Sequence, residues 1–248
     1  MHYIASRNVL RGLTAAALLL LPISCAKTPA GVNGSSGTQL LVSFQVEGTI
    51  NPNYYYFVLF NPVTSPSQST GPDPVVTQPW GNGFGAGAFT AFLRYDGSQP
   101  YSNYGFYTVV PGSSLEVFNG PSAPTQYTPV QTGGQSISFQ IPLAALGTSA
   151  LPANQIQYVQ FNIVATNRVP VNPTDTNPKL FDALGDPRTP DGLNDPVTIP
   201  VTQSGLYQNS SQVQPEPEGD VGEWVNSQFV SNEDTGLDIV NWQIEVRS

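Results

Sequence analysis

From Gln39 to the C-terminus apolar and polar residues alternate in short runs, and no segment keeps a helical period beyond about two turns. Leu40, Val42, Phe44 and Val46 alternate with Leu41, Ser43, Gln45 and Glu47. Ile137, Phe139 and Ile141 do the same against Ser136, Ser138 and Gln140, and Val159, Phe161, Ile163 and Ala165 against Gln160, Asn162 and Val164. A last run sets Val240, Trp242, Ile244 and Val246 against Asn241, Gln243 and Glu245. A side-chain period of two places each set on one face of a strand. Glycine (23) and proline (24) punctuate these runs. Short strands with such turns predict an all-β chain, a single antiparallel β-sandwich of jelly-roll or immunoglobulin-like type.

Further strands are expected over residues 88–95, 104–110 and 114–118, separated by the turn signals Asp96-Gly97 and Pro111-Gly112. "PLAALG", residues 142–147, suits one helical turn with proline first and glycine last. Residues 51–60, "NPNYYYFVLF", read as a turn leading into a strand that pairs with the first as a hairpin. On that reading Tyr55, Phe57 and Leu59 enter the core. Tyr54, Tyr56, Val58 and Phe60 share the other face, covered by the chain's own loops or by a ligand. The segment from about 170 to 220 is too long for a structureless loop, so it is functional or carries short strands of its own, "VTIPV" at 197–201 among them.

Ahead of this domain, Arg7 and Arg11 precede the apolar stretch from Gly12 to Ile23, which is short of the roughly 20 residues a membrane span requires. Residues 1–24 therefore read as a cleaved signal peptide. At "LPISCAK" the sequence resembles the lipobox of bacterial lipoproteins, with Ser24 and Ile23 at the small and aliphatic positions and Pro22 where that family usually has leucine. The resemblance implies that Cys25 becomes the lipid-bearing first residue, anchored in a membrane through its acyl chains. Ala26 lacks the aspartate that retains such proteins on an inner membrane, so in a two-membrane cell the expected place is the outer membrane or the surface. Residues 25–38 are Gly/Ser-rich and serve as a tether, leaving 39–248 as the domain.

His2 is the only histidine and Cys25 the only cysteine, so the domain has neither. That removes Ser-His-Asp catalysis, histidine- or thiolate-bound zinc, and internal disulfides. Past the signal, Lys27, Arg94, Arg168, Lys179, Arg188 and Arg247 face 17 acidic residues, a balance that argues against nucleic-acid binding. Glu47, Asp73, Asp96 and Glu116 are the only carboxylates before residue 171, so a cation site is to be sought in the last third. There "DALGDPRTPDGLNDP" offers Asp182, Asp186, Asp191, Asn194 and Asp195, oxygen donors of the kind Ca²⁺ prefers, without EF-hand spacing. Asp186, Asp191 and Asp195 are the ligands this loop suggests. "EPEGD" (216–220) and "NEDTGLD" (232–238) are candidates of the same kind. Asx residues beside Pro and Gly also form turns, so the turn reading stays open. A carboxylate pair for glycoside hydrolysis cannot be picked out, and a non-catalytic role is expected.

"GNGFGAG" (81–87) matches a dinucleotide fingerprint only in letters, because a strand rather than a helix follows it. Aromatics crowd the first half, and Tyr54, Tyr56 and Trp80 are the candidates for stacking on a ligand, with packing as the competing role. The segments "QPWGNGFGAGAFTAFLRYDG" and "GGQSISFQIPLAALG" resemble the DOMON-like and family 9 carbohydrate-binding sandwiches. That resemblance implies a sandwich that binds sugar or another small ligand through aromatics. The haem-binding variant uses axial Met or His, which the domain lacks, so an extracellular glycan is the more compatible ligand. A structural or adhesive envelope protein without a small ligand is the alternative.

Overall fold

In the computed structural model, residues 37–170, 172–189, 192 and 195–248 are described. Strands form where the alternation lies. The first are β1 (Gln39–Val46), β2 (Tyr55–Val63), the short pair β3 (Pro72–Pro74) and β4 (Gly85–Gly87), β5 (Ala91–Tyr95) and β6 (Tyr104–Val109). Next come β7 (Phe118–Ser122), β8 (Gln126–Thr128), β9 (Ser136–Pro142) and β10 (Tyr158–Thr166). The acidic third adds β11 (Phe181–Ala183), β12 (Val197–Pro200), β13 (Gly205–Gln208), β14 (Gly222–Val225), β15 (Gln228–Ser231) and β16 (Ile239–Arg247). The turn expected at "PLAALG" is a 3-10 helix over Leu143–Leu146, entered from Pro142 and left at Gly147. No helix among the described residues is long and apolar enough to cross a membrane.

Two antiparallel sheets pack as a β-sandwich. One runs β13-β16-β1-β9-β8 and the other β15-β14-β11-β10-β2-β5-β6-β7, with β12 also on β10. Their facing sides meet in one core, to which Leu40, Val42, Phe44, Ile137, Phe139, Trp242 and Ile244 come from the first sheet. Tyr56, Val58, Phe60, Leu93, Phe161 and Ile163 come from the second. The Phe161 and Trp242 rings meet edge-to-face across the sheets with centroids 5.1 Å apart. Each such side chain, fully buried, contributes about 1.5–3 kcal/mol of transfer free energy.

Four sequence expectations change. β1 and β2 do not form a hairpin: β1 lies between β16 and β9, and β2 lies between β10 and β5 in the other sheet. The turn at 51–54 thus carries the chain across the sandwich. The inward face of β2 is Tyr56, Val58 and Phe60, while Phe57 and Leu59 pack on the outside of the sheet in a second apolar cluster. Both faces of β2 are apolar because both are covered, which is why alternation alone misassigned them. Residues 114–117 form a turn, closed by the Val117 amide on the Ser114 carbonyl at 3.2 Å, and the strand begins only at Phe118. In β16 the register skips Val240 between Asn241 and Ile239, so Ile239 rather than Val240 is buried.

Candidate functional site

The tyrosines of β2 tie loops together instead of facing solvent. Tyr56 is 1% exposed, and its hydroxyl donates to the Gly236 carbonyl at 2.8 Å and accepts from the Asn51 amide at 3.0 Å. Tyr54, half-buried, donates to the Asp234 carboxylate at 2.7 Å. The pair therefore pins the 51–56 turn to the 234–236 loop. Neither ring is part of an open stacking platform, because the core takes one and the loop holds the other.

Outside the second sheet, the Gly-rich segment 81–87 folds down as a cover. Phe84 stacks on Phe57 with centroids 4.1 Å apart and planes 4° from parallel, and also touches Phe89, Phe92 and Phe118. Asn82 shapes the loop: its side-chain oxygen accepts from the Phe84 and Gly85 amides, and its amide donates to the Gly85 and Leu115 carbonyls. Gly83 has φ +84°, and a Cβ there would sit 2.5 Å from the Pro170 carbonyl oxygen, so only glycine fits.

Beside this cover lies a cleft of about 550 Å³ lined by Trp80, Lys179, Trp224, Gln78, Asn177 and Glu223, among others. Trp80 is 6% exposed and donates its Nε1–H to the Asp175 carbonyl at 2.7 Å, so its ring forms the cleft floor more than its mouth. Trp224, on β14, is the more open ring. It stands next to the two-residue turn Asn226-Ser227, whose φ values of 49° and 64° are those of a hairpin turn that matches strand twist. Lys179 is buried, donates to the Val75 carbonyl and lies 5.9 Å from the Trp80 ring centroid. Burial, with the Arg168 charge nearby, pulls its amine down to about 7.

The densest chemistry lies at the other end of the acidic third. Asp182 on β11, Asp220 just before β14 and Asp238 just before β16 are 0%, 0% and 2% exposed. One oxygen of each lies within 4.8 Å of the others. Asp182 accepts from the Ala183 and Ile239 amides, and Asp238 accepts from the Gly219 amide at 2.9 Å. Both oxygens of Asp220, Oδ1 of Asp238 and Oε1 of the neighbouring Glu216 are buried with no donor. Burial and the surrounding acids raise the Asp182 carboxyl well above the ordinary range, push Glu216 up to about 9 and Asp220 up to about 7. The Arg188 guanidinium nearby lowers Asp220 in part, but it is spent on Asp186 and on the Glu218 and Gly219 carbonyls.

No family model, curated protein or solved structure matches this chain.

Of the three acids singled out in the 182–195 loop, Asp186 is paired with Arg188 at 2.7 Å, and Asp195 is exposed at the edge of a cleft it shares with Glu216. Asp191 lies outside the described residues, as does Cys25. The structure instead draws one aspartate from each of the three acidic stretches, Asp182, Asp220 and Asp238. Spacing along the chain carries no sign of this, because the three meet only when β11, β14 and β16 are in place. Trp224 and Lys179 were missed for the same reason: a lone tryptophan in an acidic stretch and a lone lysine after a proline have no local signature.

Proposed function

We propose that this chain is a lipid-anchored protein of the bacterial cell envelope whose β-sandwich is a non-catalytic binding module, taking a glycan or a similarly polar small ligand in the cleft between Trp80 and Trp224. The cleft itself carries the reading. It joins an indole open enough to stack on a sugar face with amides, hydroxyls and a carboxylate that can bond its hydroxyls, at Gln78, Asn177, Asn226, Ser227 and Glu223. The lipobox-like "LPISC" supports the anchor, and the absence of histidine from residues 3–248 supports a non-catalytic role.

A glycan-binding screen of the full chain, repeated with Trp224→Ala, tests this. Retention of a glycan by the wild type and its loss in the variant, at unchanged melting temperature, is the expected result. No retention of any glycan would leave the structural or adhesive role, which the burial of Tyr56 and Trp80 favours. Membrane attachment is tested separately by Cys25→Ser, which should release the protein from membranes.

A further inference from the structure

We propose that Asp182, Asp220 and Asp238, with Glu216 beside them, form a calcium site that clamps the two sheets of the sandwich together. The inference is independent of the ligand cleft. Asp182 and Asp220 belong to the strands and loops of the larger sheet, while Asp238 leads into β16 of the smaller one, so an ion among them holds both.

Acidic clusters on a surface need no ion, because water solvates them. This one is buried, and its free oxygens are the argument. Four buried carboxylate oxygens, two on Asp220 and one each on Asp238 and Glu216, meet no hydrogen-bond donor. An unsatisfied buried acceptor costs about 1–3 kcal/mol, and more when charged. A proton gives one donor, whereas a divalent cation serves several oxygens at once and cancels the mutual repulsion.

The donor set selects the ion. Every side chain in the cluster offers oxygen, which disfavours zinc. Calcium takes six to eight oxygens at about 2.3–2.6 Å, so two ligands on opposite sides stand about 5 Å apart, and it accepts bidentate carboxylates. The three aspartate oxygens within 4.8 Å of one another fit that sphere, and Asp220, with both oxygens free, suits a bidentate ligand. Magnesium demands a smaller octahedron and keeps its waters, which the buried position disfavours.

The clamp acts where pairing is thinnest. β11 joins β14 through the single register pair Phe181–Gly222, so the backbone pairing that holds the β14–β15 hairpin, which carries Trp224, is one bridge, with the Phe181 and Phe229 rings edge-to-face beside it. Calcium on Asp182 and Asp220, which lie together at one end of that bridge, adds a second attachment beside it.

The full chain, purified in detergent and stripped with chelator, is titrated with CaCl₂ and with MgCl₂ while heat of binding, thermal unfolding and proteolysis are followed. One calcium per chain is expected. At a hundredfold excess over Kd the melting temperature should rise by about 5–10 °C. Protease cleavage near residues 225–228 should fall. Asp220→Asn and Asp238→Asn should each weaken calcium binding at least tenfold; because Asp220→Asn removes a buried charge at constant shape, it should melt no lower than wild type in chelator. Glu233→Gln, in the exposed acidic loop, should bind as wild type does. The proposal is overturned if calcium leaves melting and proteolysis unchanged, if magnesium matches calcium, or if Asp220→Asn keeps the full shift.

Discussion

The backbone amide of Ile239, first residue of β16, donates to the carboxylate of Asp182 on β11, and the bond runs from one sheet to the other. Asp182 is fully buried and accepts a second amide, its neighbour Ala183, at 2.8 Å. Removing the carboxylate strands both buried N–H groups. Asp182→Ala should therefore cost about 1–3 kcal/mol in chelator, measured by urea unfolding, and Asp182→Asn, which keeps one oxygen, clearly less.

The phenol of Tyr56 is a structural tie. Tyr56→Phe keeps the ring in the core and deletes two hydrogen bonds, to Gly236 and from Asn51. A loss of about 1–2 kcal/mol in chemical unfolding is expected, with glycan retention unaltered. A variant as stable as wild type that lost ligand would instead return Tyr56 to the binding surface.

The Gly-rich segment is a cover for the outer face of β2 and β5. Phe84→Ala should cost about 3–5 kcal/mol, because Phe84 touches Phe57, Phe89, Phe92 and Phe118. Gly83→Ala should cost about 2 kcal/mol or more, since its Cβ would enter a backbone carbonyl at a positive φ. A mobile ligand loop would tolerate both changes in a melting experiment.

Lys179 makes stability depend on pH in a defined direction. Its folded value of about 7 lies below the ordinary 10.5, so between these limits the unfolded chain binds the extra proton and stability from this group rises with pH. Buried carboxyls such as Glu216, held up to about 9, act in the opposite sense over part of that window. The difference between wild type and Lys179→Met isolates the lysine. That difference should shift in favour of wild type by up to about 1.4 kcal/mol per pH unit from pH 7 to 10.5, and stay flat below pH 6. A difference independent of pH would mean that Lys179 titrates normally.

Local pattern made much of the fold readable. β1, β6, β9, β10 and β16 lie where the alternation placed them, and the 3-10 turn sits between its proline and its glycine. For β1, β9 and β10, with one face far more apolar than the other, the inward residues were also readable. β2 resisted, because Tyr55, Phe57 and Leu59 are as apolar as Tyr56, Val58 and Phe60. The side that met the other sheet was settled by β10 and β5, not by β2 itself.

The sequence by itself determined the all-β class, the turns between strands and the exclusion of histidine and thiol chemistry from the domain. Those follow from residue identity and from a side-chain period that acts over neighbours in the chain. Tertiary structure alone decided which sheet each strand joined, that Trp80 and Trp224 line one cleft, and that Asp182, Asp220 and Asp238 share a buried point. Asp182 and Ile239 are 57 residues apart. A contact of that separation is fixed by burial and strand pairing summed over the whole sandwich, which no local run of residues encodes.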